Sequence, residues 1–583
     1  MTKKITFLNN LSLILKYNEK KSIFLLVSIL LINVFFETFS IGLIIPFLKS
    51  ITDENFFNVI YNFTIFEFFS LSIIFELFNV DNKDKLIIFL SIIFAVFFAI
   101  RILINFFTLW YIGKFKFKLH STLSKKLYRG YLEMPYAEHL KKNSSRILTN
   151  VTGEVDLFSG TALVIITAIN DIILTVSIVS LLLFVQPFAA IKVLSYFFII
   201  GFIFLILTDN FIKKVGQRRQ EVTKQTNQNI IEGFNLIKEI KIFNKQSYFY
   251  KKFELAYQEL LKIFWYRSLF PSLPRVVLEL SAIIILSISL ITVIKSGSNL
   301  EEFLISFTFF VAAGYRLLPS LNKLINNYQR ILFAKSAGDL IFLELDLINK
   351  NKSETNISNL KFKDKINFKN ISFQFTENSK KIIDNANFQI KKGLFTGIIG
   401  ESGAGKSTLV KLITGLLLPS EGKIFIDDNE LKTNLSAWKN KIGYVSQDLI
   451  LLDEPIINNI AFGELEKDID IDRVKKAITL AELDKLVESL DKGVFSVTGE
   501  RGKLLSGGQM QRICIARALY RNPEILILDE STNSLDSENE KKIIDTLQNN
   551  LKHLTIIIIS HRESTIKNCD EIFKVQNKKV FKL

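Results

Sequence analysis

The segment GESGAGKST, residues 400–408, has the residue types and spacing of a loop that binds phosphate groups. Its glycines allow backbone N–H groups to turn inward around phosphate oxygens. Lys406 can reach the β- and γ-phosphates of a nucleotide, and the Ser407 hydroxyl can ligate Mg²⁺. The segment therefore predicts a P-loop, provided that a strand precedes it and a helix follows it.

Two adjacent carboxylates, Asp529 and Glu530, follow the apolar run at residues 525–528. A carboxylate at the end of a buried strand can hold Mg²⁺, and a second one beside it can polarise the water that attacks a phosphate. Because a P-loop lies upstream in the same chain, we interpret Asp529 as a metal ligand. Glu530 is then the candidate general base of nucleotide hydrolysis.

The segment LSGGQ, residues 505–509, leads into a predicted helix at residues 510–520. A Ser-Gly-Gly loop at a helix N-terminus is a second anion-binding site, because its backbone N–H groups have no partner within the helix. The chain therefore has two phosphate-binding segments but a single P-loop that carries a lysine. We infer that the second segment contacts a nucleotide held by another subunit.

Short strands and helices must position these residues, and residues 361–583 have that pattern. An apolar strand at 395–399 leads into the P-loop, an apolar helix at 409–418 follows it, and another apolar strand lies at 555–559. This order predicts an α/β P-loop domain. The polar stretch at 349–360 predicts a linker before it.

Residues 1–348 have a different composition from this soluble domain. The chain has 583 residues, of which 49% are hydrophobic and 22% charged, and its mean hydropathy is +0.28. It is too apolar for a purely soluble protein and too charged for one made only of membrane spans, so residues 1–348 are predicted to form a membrane domain. Six stretches are long enough to cross a bilayer, at about residues 22–48, 86–112, 160–185, 187–208, 269–294 and 303–325.

Positive charges indicate the orientation of these spans. The net charge is +16, and residues 1–350 carry +13 of it. Residues 113–158 contain nine Lys or Arg and residues 209–267 contain twelve, whereas residues 49–85 contain three. By the positive-inside rule, the N-terminus, both long loops and the soluble domain are cytoplasmic. Because the excess lies in the membrane half, nucleic acid is excluded as the partner.

Segments outside the spans are also expected to be helical. The two long basic loops contain few Gly or Pro, so we predict helical extensions that turn near residues 134–143 and 235–244. Residues 55–80 are apolar but are interrupted by polar side chains such as Asn55 and Glu67. We interpret them as an external amphipathic segment in the membrane interface. The alternative is a further span, which would invert the orientation of everything downstream.

In order and spacing, the motifs resemble those of ABC transporters, and the whole chain resembles a half-subunit of the exporter type. Residues 400–408 resemble Walker A, residues 505–509 match the family signature, and Asp529 and Glu530 resemble Walker B and the catalytic glutamate. The resemblance implies an α-helical membrane domain with six transmembrane helices and long cytoplasmic extensions. An α/β P-loop ABC ATPase domain at residues 361–583 follows it.

Further positions are assigned through this resemblance alone. Gln447 resembles the Q-loop glutamine, Asp536 lies in a D-loop-like segment, and His561 resembles the switch histidine that contacts the γ-phosphate. Phe375 stands where the family usually has a tyrosine stacked on adenine, and Phe373 is the alternative. The implied catalytic residues are Lys406, Gln447, Glu530 and His561, and the implied Mg²⁺ ligands are Ser407, Gln447 and Asp529. The implied ATP contacts are Phe375, Gly400, Glu401, Ser402, Gly403, Ala404, Gly405, Lys406, Ser407, Thr408, Ser506, Gly507, Gly508, Gln509 and Asp536.

The transported substrate must be inferred from ionisable residues inside the spans, because a charge there is unfavourable unless it is paired or faces water. Arg316 and Lys323 are seven residues apart and share one face of the sixth span, and Arg275 lies early in the fifth. Together they could line a cavity suited to phosphate or pyrophosphate. Alternatively, Arg275 pairs with Glu279 and Lys323 extends to the membrane interface.

A closer resemblance is to the bacterial flippases that move lipid-linked oligosaccharides for protein N-glycosylation. It is carried by residues 35–47, 151–155, 273–279 and 315–323. It implies that a homodimer uses ATP and Mg²⁺ to translocate an anionic, polyprenyl-pyrophosphate-linked oligosaccharide across the bacterial inner membrane. The alternatives are an exporter of another lipid or of a hydrophobic drug and, less favoured, an ATP-gated channel or regulator with the same fold.

Overall fold

The computed structural model of the chain describes residues 20–42, 78, 80, 82–185, 187–296, 300–351, 360–376, 379–530, 537–551, 554–560 and 566–583. These residues form two compact units. The first unit contains the described residues up to Met134 and those from Lys142 to residue 351. The second contains Pro135–Lys141 and the described residues from 360 onward.

Helices account for almost all of the first unit. The helices up to residue 351 are, in chain order, α1 (Lys20–Gly42), α2 (Lys83–Glu133), α3 (Tyr136–His139), α4 (Ser144–Thr149), α5 (Val155–Val185), α6 (Pro187–Asn235), α7 (Ile237–Ile242), α8 (Gln246–Leu269), α9 (Leu273–Ser296) and α10 (Leu300–Lys350). A π-helical turn, Asn150–Glu154, joins α4 to α5. Helix α3 belongs to the second unit.

Helices α2 and α6 extend into the two long loops and confirm their predicted helical extensions. Helices α2 and α10 each have 51 residues. At 1.5 Å per residue each is about 76 Å long, more than twice the ~30 Å hydrocarbon core of a bilayer. The side chain of Asn82 caps the start of α2 by accepting a hydrogen bond of 2.9 Å from the Lys85 N–H. The helix ends at Glu133, because Pro135 disfavours helical backbone at the residue before it.

By length and composition, three helical segments among the described residues can cross a membrane. They are Lys83–Glu133, Ser144–Ser177 and Leu194–Asn235. The number of six spans stays a prediction. The predicted amphipathic segment at 55–80 lies outside the described residues, except for residues 78 and 80.

A buried apolar stripe holds the helices of the first unit together. Leu119, Leu123 and Leu127 follow one another at four-residue spacing on α2, and all three are fully buried. They belong to one core cluster with Val155 of α5 and Ile341 of α10. Residues four apart share one face of a helix, so this stripe orients α2 against α5 and α10.

Two β-sheets organise the second unit. The strands are β1 (Lys365–Phe373), β2 (Ile383–Lys391), β3 (Phe395–Gly400), β4 (Glu421–Ile426), β5 (Asn429–Glu430), β6 (Ile442–Val445), β7 (Ile525–Asp529), β8 (Thr555–Ile559), β9 (Glu571–Gln576) and β10 (Lys579–Lys582). The first sheet is antiparallel, in the order β2-β1-β4-β5. The second has the order β10-β9-β3-β8-β7-β6 and is parallel except for the β9–β10 pair.

The helices of this unit cover the parallel sheet. They are α11 (Lys406–Ile413), α12 (Leu435–Lys439), α13 (Ile456–Ile460), α14 (Ile471–Leu480), α15 (Asp484–Ser489), α16 (Gly507–Tyr520) and α17 (Ser537–Asn550). Strands β7 and β8 are buried along their whole length, which is typical of parallel strands covered on both faces. Because β3 and β7 both flank β8, their carboxyl ends meet at one edge of the sheet. That edge carries the candidate site.

Candidate functional site

The loop after β3 and the start of α11 form a concave backbone segment. The backbone of Gly405, immediately before α11, has a φ of +107°, a conformation that residues with a side chain rarely adopt. A Cβ atom at Gly400 would lie 2.5 Å from the carbonyl oxygen of Val575 on the neighbouring strand β9. Both glycines are therefore required by the path of the chain. The loop leaves the N–H groups at the start of α11 available for an anion.

Lys406 is held inside this loop. Its side chain is 5% exposed, and the ammonium group donates hydrogen bonds of 2.8 Å and 2.9 Å to the carbonyl oxygens of Gly400 and Glu401. These bonds place the positive charge within the curve of the loop. The electrostatics of the segment thus suit phosphate groups, and Ser407 follows directly in the first turn of α11.

Asp529 ends β7 as a buried carboxylate with one unused oxygen. The residue is 3% exposed, and its Oδ2 accepts a hydrogen bond of 3.2 Å from the Tyr444 hydroxyl. No described residue hydrogen-bonds to its Oδ1. Burial raises the pKa of Asp529 above its ordinary value, and the neighbouring charge of Glu530 adds to this rise. A bound cation would satisfy the unused oxygen and stabilise the charged form, so the site fits Mg²⁺.

Glu530 and Gln447, which are 83 residues apart in sequence, are in direct contact. Gln447 Nε2 donates a hydrogen bond of 2.9 Å to Glu530 Oε2. The backbone of Glu530 has a φ of +49°, which is uncommon for a residue with a side chain. Its N–H donates to the carbonyl oxygen of Ile559 on β8. Strained backbone of this kind is concentrated at functional sites, and here it orients the Glu530 carboxylate towards Gln447.

Tyr444 is a residue of the site that sequence reasoning missed. It lies on β6, which pairs with β7 in parallel, so its hydroxyl can reach Asp529 at the end of β7. Burial and the Asp529 charge raise the pKa of the Tyr444 hydroxyl, which therefore stays protonated and donates to the carboxylate. The available signal was its position three residues before Gln447, in the segment YVSQ.

The signature segment is organised by a capping box at the start of α16. The Ser506 hydroxyl accepts from the Gln509 N–H at 3.3 Å, and Gln509 Oε1 accepts from the Ser506 N–H at 2.8 Å. The Gln509 side chain is therefore used inside the cap, while Gly507 and Gly508 form the first helical turn. A contact between this segment and a nucleotide stays a prediction.

Phe375 and Phe373, the two candidates for stacking on adenine, differ in exposure. Phe375 is 48% exposed, whereas Phe373 is 5% exposed and belongs to the core beneath the sheet. Their rings meet edge to face, with centroids 5.2 Å apart. Of the two, Phe375 has the ring that a base can reach. His561 and Asp536 lie outside the described residues.

The cationic residues predicted to bind the substrate are not brought together by the described contacts. Arg275 is exposed and donates a hydrogen bond of 2.7 Å to Glu279, one turn later on α9. Lys323 is exposed on α10. Arg316 lies on the same helix, but its side chain is not among the described parts of the structure. The local pairing of Arg275 is the alternative that its spacing from Glu279 allowed.

Comparison with known proteins identifies the family. A family model described as the ABC transporter transmembrane region matches residues 56–313, and one described as ABC transporter matches residues 383–533. An ATP-dependent lipid A-core flippase of Francisella novicida is 30% identical over 500 residues, which are 83% of this chain and 82% of that protein. The chain belongs to the ABC transporter family. Within it, the pairing of a membrane region with one ATPase domain is that of an exporter half-transporter.

Other relatives of this ABC exporter share the same extent of similarity. A protein of Ralstonia nicotianae with the same description is 27% identical over 79% of this chain and 78% of its own length. A solved structure of a bacterial Atm1-family ABC exporter with ATP bound has a TM-score of 0.74. It is 18% identical and covers 96% of this chain and 95% of its own. That structure shows the exporter fold and confirms the predicted fold class.

The family also confirms the predicted activity of the exporter at a general level. Its ATPase domain binds ATP, and the predicted ATP hydrolysis coupled to transport is confirmed. The chain is a multi-pass membrane protein. The roles of individual residues stay predictions.

Helix α3 brings a piece of the membrane half of the sequence into the exporter's ATPase unit. It follows the end of α2, and its Tyr136 packs against the core of that unit. The ammonium group of Lys411, on the P-loop helix α11, lies 5.8 Å from the centre of the Tyr136 ring, a cation–π contact. The P-loop helix α11 therefore contacts α3, the segment that follows α2, through Lys411 and Tyr136.

Proposed function

We propose that the exporter uses ATP hydrolysis to flip a lipid that carries a phosphate or pyrophosphate group across the bacterial inner membrane. The observation that carries this proposal is the similarity, over about four fifths of the chain, to ATP-dependent lipid A-core flippases. The polyprenyl-pyrophosphate-linked oligosaccharide predicted from the sequence is one candidate substrate, and lipid A-core is another. Arg275, Arg316 and Lys323 are the predicted contacts of the anionic group.

Two copies of the chain form the proposed transporter. Each ATP is held by the P-loop of one copy and by Ser506, Gly507 and Gly508 of its partner, with Asp536 at the same interface. The capping box at Ser506 supports this arrangement, because it fixes the first turn of α16 while the N–H groups of Gly507 and Gly508 have no acceptor within the helix. Ser407, Gln447 and Asp529 are the residues that would hold a Mg²⁺, which would supply charge stabilisation to the transferred phosphate.

Glu530 is the proposed general base. Its carboxylate accepts a proton from a water molecule while the water oxygen attacks the γ-phosphorus and the bond to the β–γ bridging oxygen breaks. Gln447 donates a hydrogen bond to Glu530, so it positions the carboxylate and can sense the γ-phosphate side of the site. His561 is the proposed contact of the γ-phosphate. The positive-inside pattern supports a cytoplasmic ATPase domain.

The test is lipid transport by the full chain in proteoliposomes. Fluorescent polyprenyl-pyrophosphate oligosaccharide, lipid A-core and phosphatidylcholine are compared, and the fraction reaching the opposite leaflet is measured with and without ATP. We expect ATP-dependent flipping of at least one phosphate-bearing lipid and none by Glu530→Gln. Equal movement of phosphatidylcholine would favour a less selective lipid exporter. ATP-gated ion conductance in planar bilayers without lipid movement would favour a channel.

A further inference from the structure

A cleft between five helices of the first unit is lined by described residues other than Arg275 and Lys323. Its cavity volume is about 310 Å³, at the lower end of the range for ligand pockets. Side chains from α2, α5, α6, α8 and α10 contribute to its lining, and the polar ones are Lys116, Asp156, Thr161, Arg267, Gln329 and Arg330. A cavity of this size accommodates a headgroup rather than a whole lipid.

The charge of this cleft is positive. Three cationic side chains and one carboxylate line it. Asp156 forms a salt bridge with Lys116, with 3.0 Å between Asp156 Oδ1 and Lys116 Nζ. Arg267 stacks over the Phe333 ring at 5.4 Å, and the positive charges of Arg219 and Arg330 and the negative charge of Asp156 act on it. With Asp156 paired to Lys116, the guanidinium groups of Arg267 and Arg330 give the cleft a net positive charge, which an anion stabilises.

Gln329 is the second, independent feature of the cleft. The residue is 3% exposed, and neither its Nε2 nor its Oε1 hydrogen-bonds to a described residue. A buried amide without partners is unfavourable by about 1–3 kcal/mol per group, so such a group in a native structure indicates a missing partner. Because Gln329 lines the cleft beside Arg330, its amide N–H can donate to an anion that the guanidinium groups attract.

The remaining wall of the cleft is aromatic. Phe211 contacts both Tyr266 and Phe270, with ring centroids 5.3 Å and 5.0 Å away. All three rings line the same cavity. A ligand that fits this lining combines an anionic group with an apolar portion.

We propose that this cleft binds the phosphate group of a membrane lipid headgroup through Arg267, Arg330 and Gln329. The choice of a lipid as the carrier of the phosphate rests on the proposed flippase function. The inference that the cleft binds phosphate depends only on the residues that line it. It adds to the exporter a binding site distinct from the predicted contacts at Arg275, Arg316 and Lys323.

The experiment measures binding by the full-length dimer in detergent, without nucleotide and at fixed ionic strength. Isothermal titration calorimetry compares short-chain phosphatidic acid, short-chain phosphatidylcholine and inorganic phosphate. In Gln329→Glu a carboxylate of nearly the same shape lowers the positive charge of the cleft by one, and Arg330→Gln removes an exposed charge that forms no ion pair with a described residue. Both variants are expected to fold, and each should weaken phosphatidic acid binding about tenfold, the factor that corresponds to 1.4 kcal/mol.

Arg129→Gln is the matched control, because Arg129 is an exposed arginine of α2 that pairs with Glu133 away from the cleft. Its affinity for phosphatidic acid should equal that of the unmodified protein. Unchanged affinity in both cleft variants, or equal binding of phosphatidylcholine, would overturn the proposal. Equal binding of inorganic phosphate, lost in the same variants, would support the phosphate site and overturn its assignment to a lipid.

The binding experiment tests the cleft independently of the proposed function, because it does not measure transport. Binding that depends on Arg330 and Gln329 in a protein that flips no lipid would refute the flippase function and leave the site standing. Lipid transport by a protein whose affinity for phosphatidic acid is unchanged by both substitutions would support the flippase function and refute the binding site.

Discussion

Replacing Tyr444 with Phe tests how the site keeps Asp529 charged. The substitution removes only the hydroxyl that donates to Asp529 Oδ2 at 3.2 Å. A hydrogen bond to a charged group contributes about 1.5–3 kcal/mol, and this long bond belongs at the lower end. Burial already raises the pKa of Asp529, and the Tyr444 bond counteracts that rise. Its loss removes about 1.5 kcal/mol of stabilisation from the charged form and should raise the pKa of Asp529 further.

ATP hydrolysis measured against pH and Mg²⁺ concentration shows the effect. Asp529 must be ionised to hold Mg²⁺, so a raised pKa makes activity fall at a higher pH than in the unmodified protein. We expect the acidic limb of the profile to move to higher pH, with about tenfold more Mg²⁺ needed at low pH, the factor that corresponds to about 1.4 kcal/mol. At alkaline pH, where the carboxylate is charged in both proteins, the activities should converge.

Tyr520→Phe is the matched control for this experiment. The Tyr520 hydroxyl also donates to a carboxylate, that of Glu464, but in another part of the ATPase unit. It should reduce stability without moving the pH profile or the Mg²⁺ dependence. Identical profiles for Tyr444→Phe and the unmodified protein would refute the reasoning, as would the same shift in Tyr520→Phe.

Three further predictions concern separate parts of the exporter. Glu530→Gln should retain ATP binding and lose about 10²–10⁴-fold in turnover, measured by phosphate release. Phe375→Ala should raise the KM for ATP roughly fivefold or more, because stacking of a base contributes ~1–3 kcal/mol, whereas Phe373→Ala should destabilise the domain. Arg219→Ala leaves the fully buried Glu154, now 2.6 Å from Arg219, without its partner, and should lower the free energy of unfolding by about 3–5 kcal/mol.

Each of these predictions has an outcome that would contradict it. Residual turnover by Glu530→Gln at the unmodified rate would remove the general-base role. An unchanged KM in Phe375→Ala would remove the adenine contact. Arg218→Ala is the control for Arg219, because Arg218 makes exposed pairs with Glu259 and Glu221 and should have a much smaller effect on stability. Equal destabilisation by both arginine substitutions would show that burial does not decide the strength of the pair.

The sequence was sufficient for the elements that carry the nucleotide motifs. The apolar runs predicted strands at 395–399, 525–528 and 555–559, and the structure has strands at Phe395–Gly400, Ile525–Asp529 and Thr555–Ile559. A parallel strand buried on both faces is a continuous apolar run, so its position can be recognised from local sequence. The glycine-rich loop and the carboxylates adjoin those runs, so their positions followed.

Contacts between distant positions could not be predicted in the same way. Tyr444 reaches Asp529 across 85 residues because β6 and β7 pair in parallel with Tyr444 opposite Ile527. The register of two strands is a property of the sheet and leaves no local pattern. The cleft at Gln329 likewise depends on five helices whose apolar faces pack in one arrangement.

By itself the sequence determined the family, the P-loop chemistry and the sites along the chain where that chemistry begins, because each motif is contiguous and lies beside its own strand or helix. Tertiary structure decided which charges have partners. Arg275 pairs with its neighbour Glu279 one helical turn away, while Arg267 and Arg330 come together from helices α8 and α10. A charge inside an apolar helix can be read from the sequence. Whether it is neutralised depends on the side chains that packing brings to it.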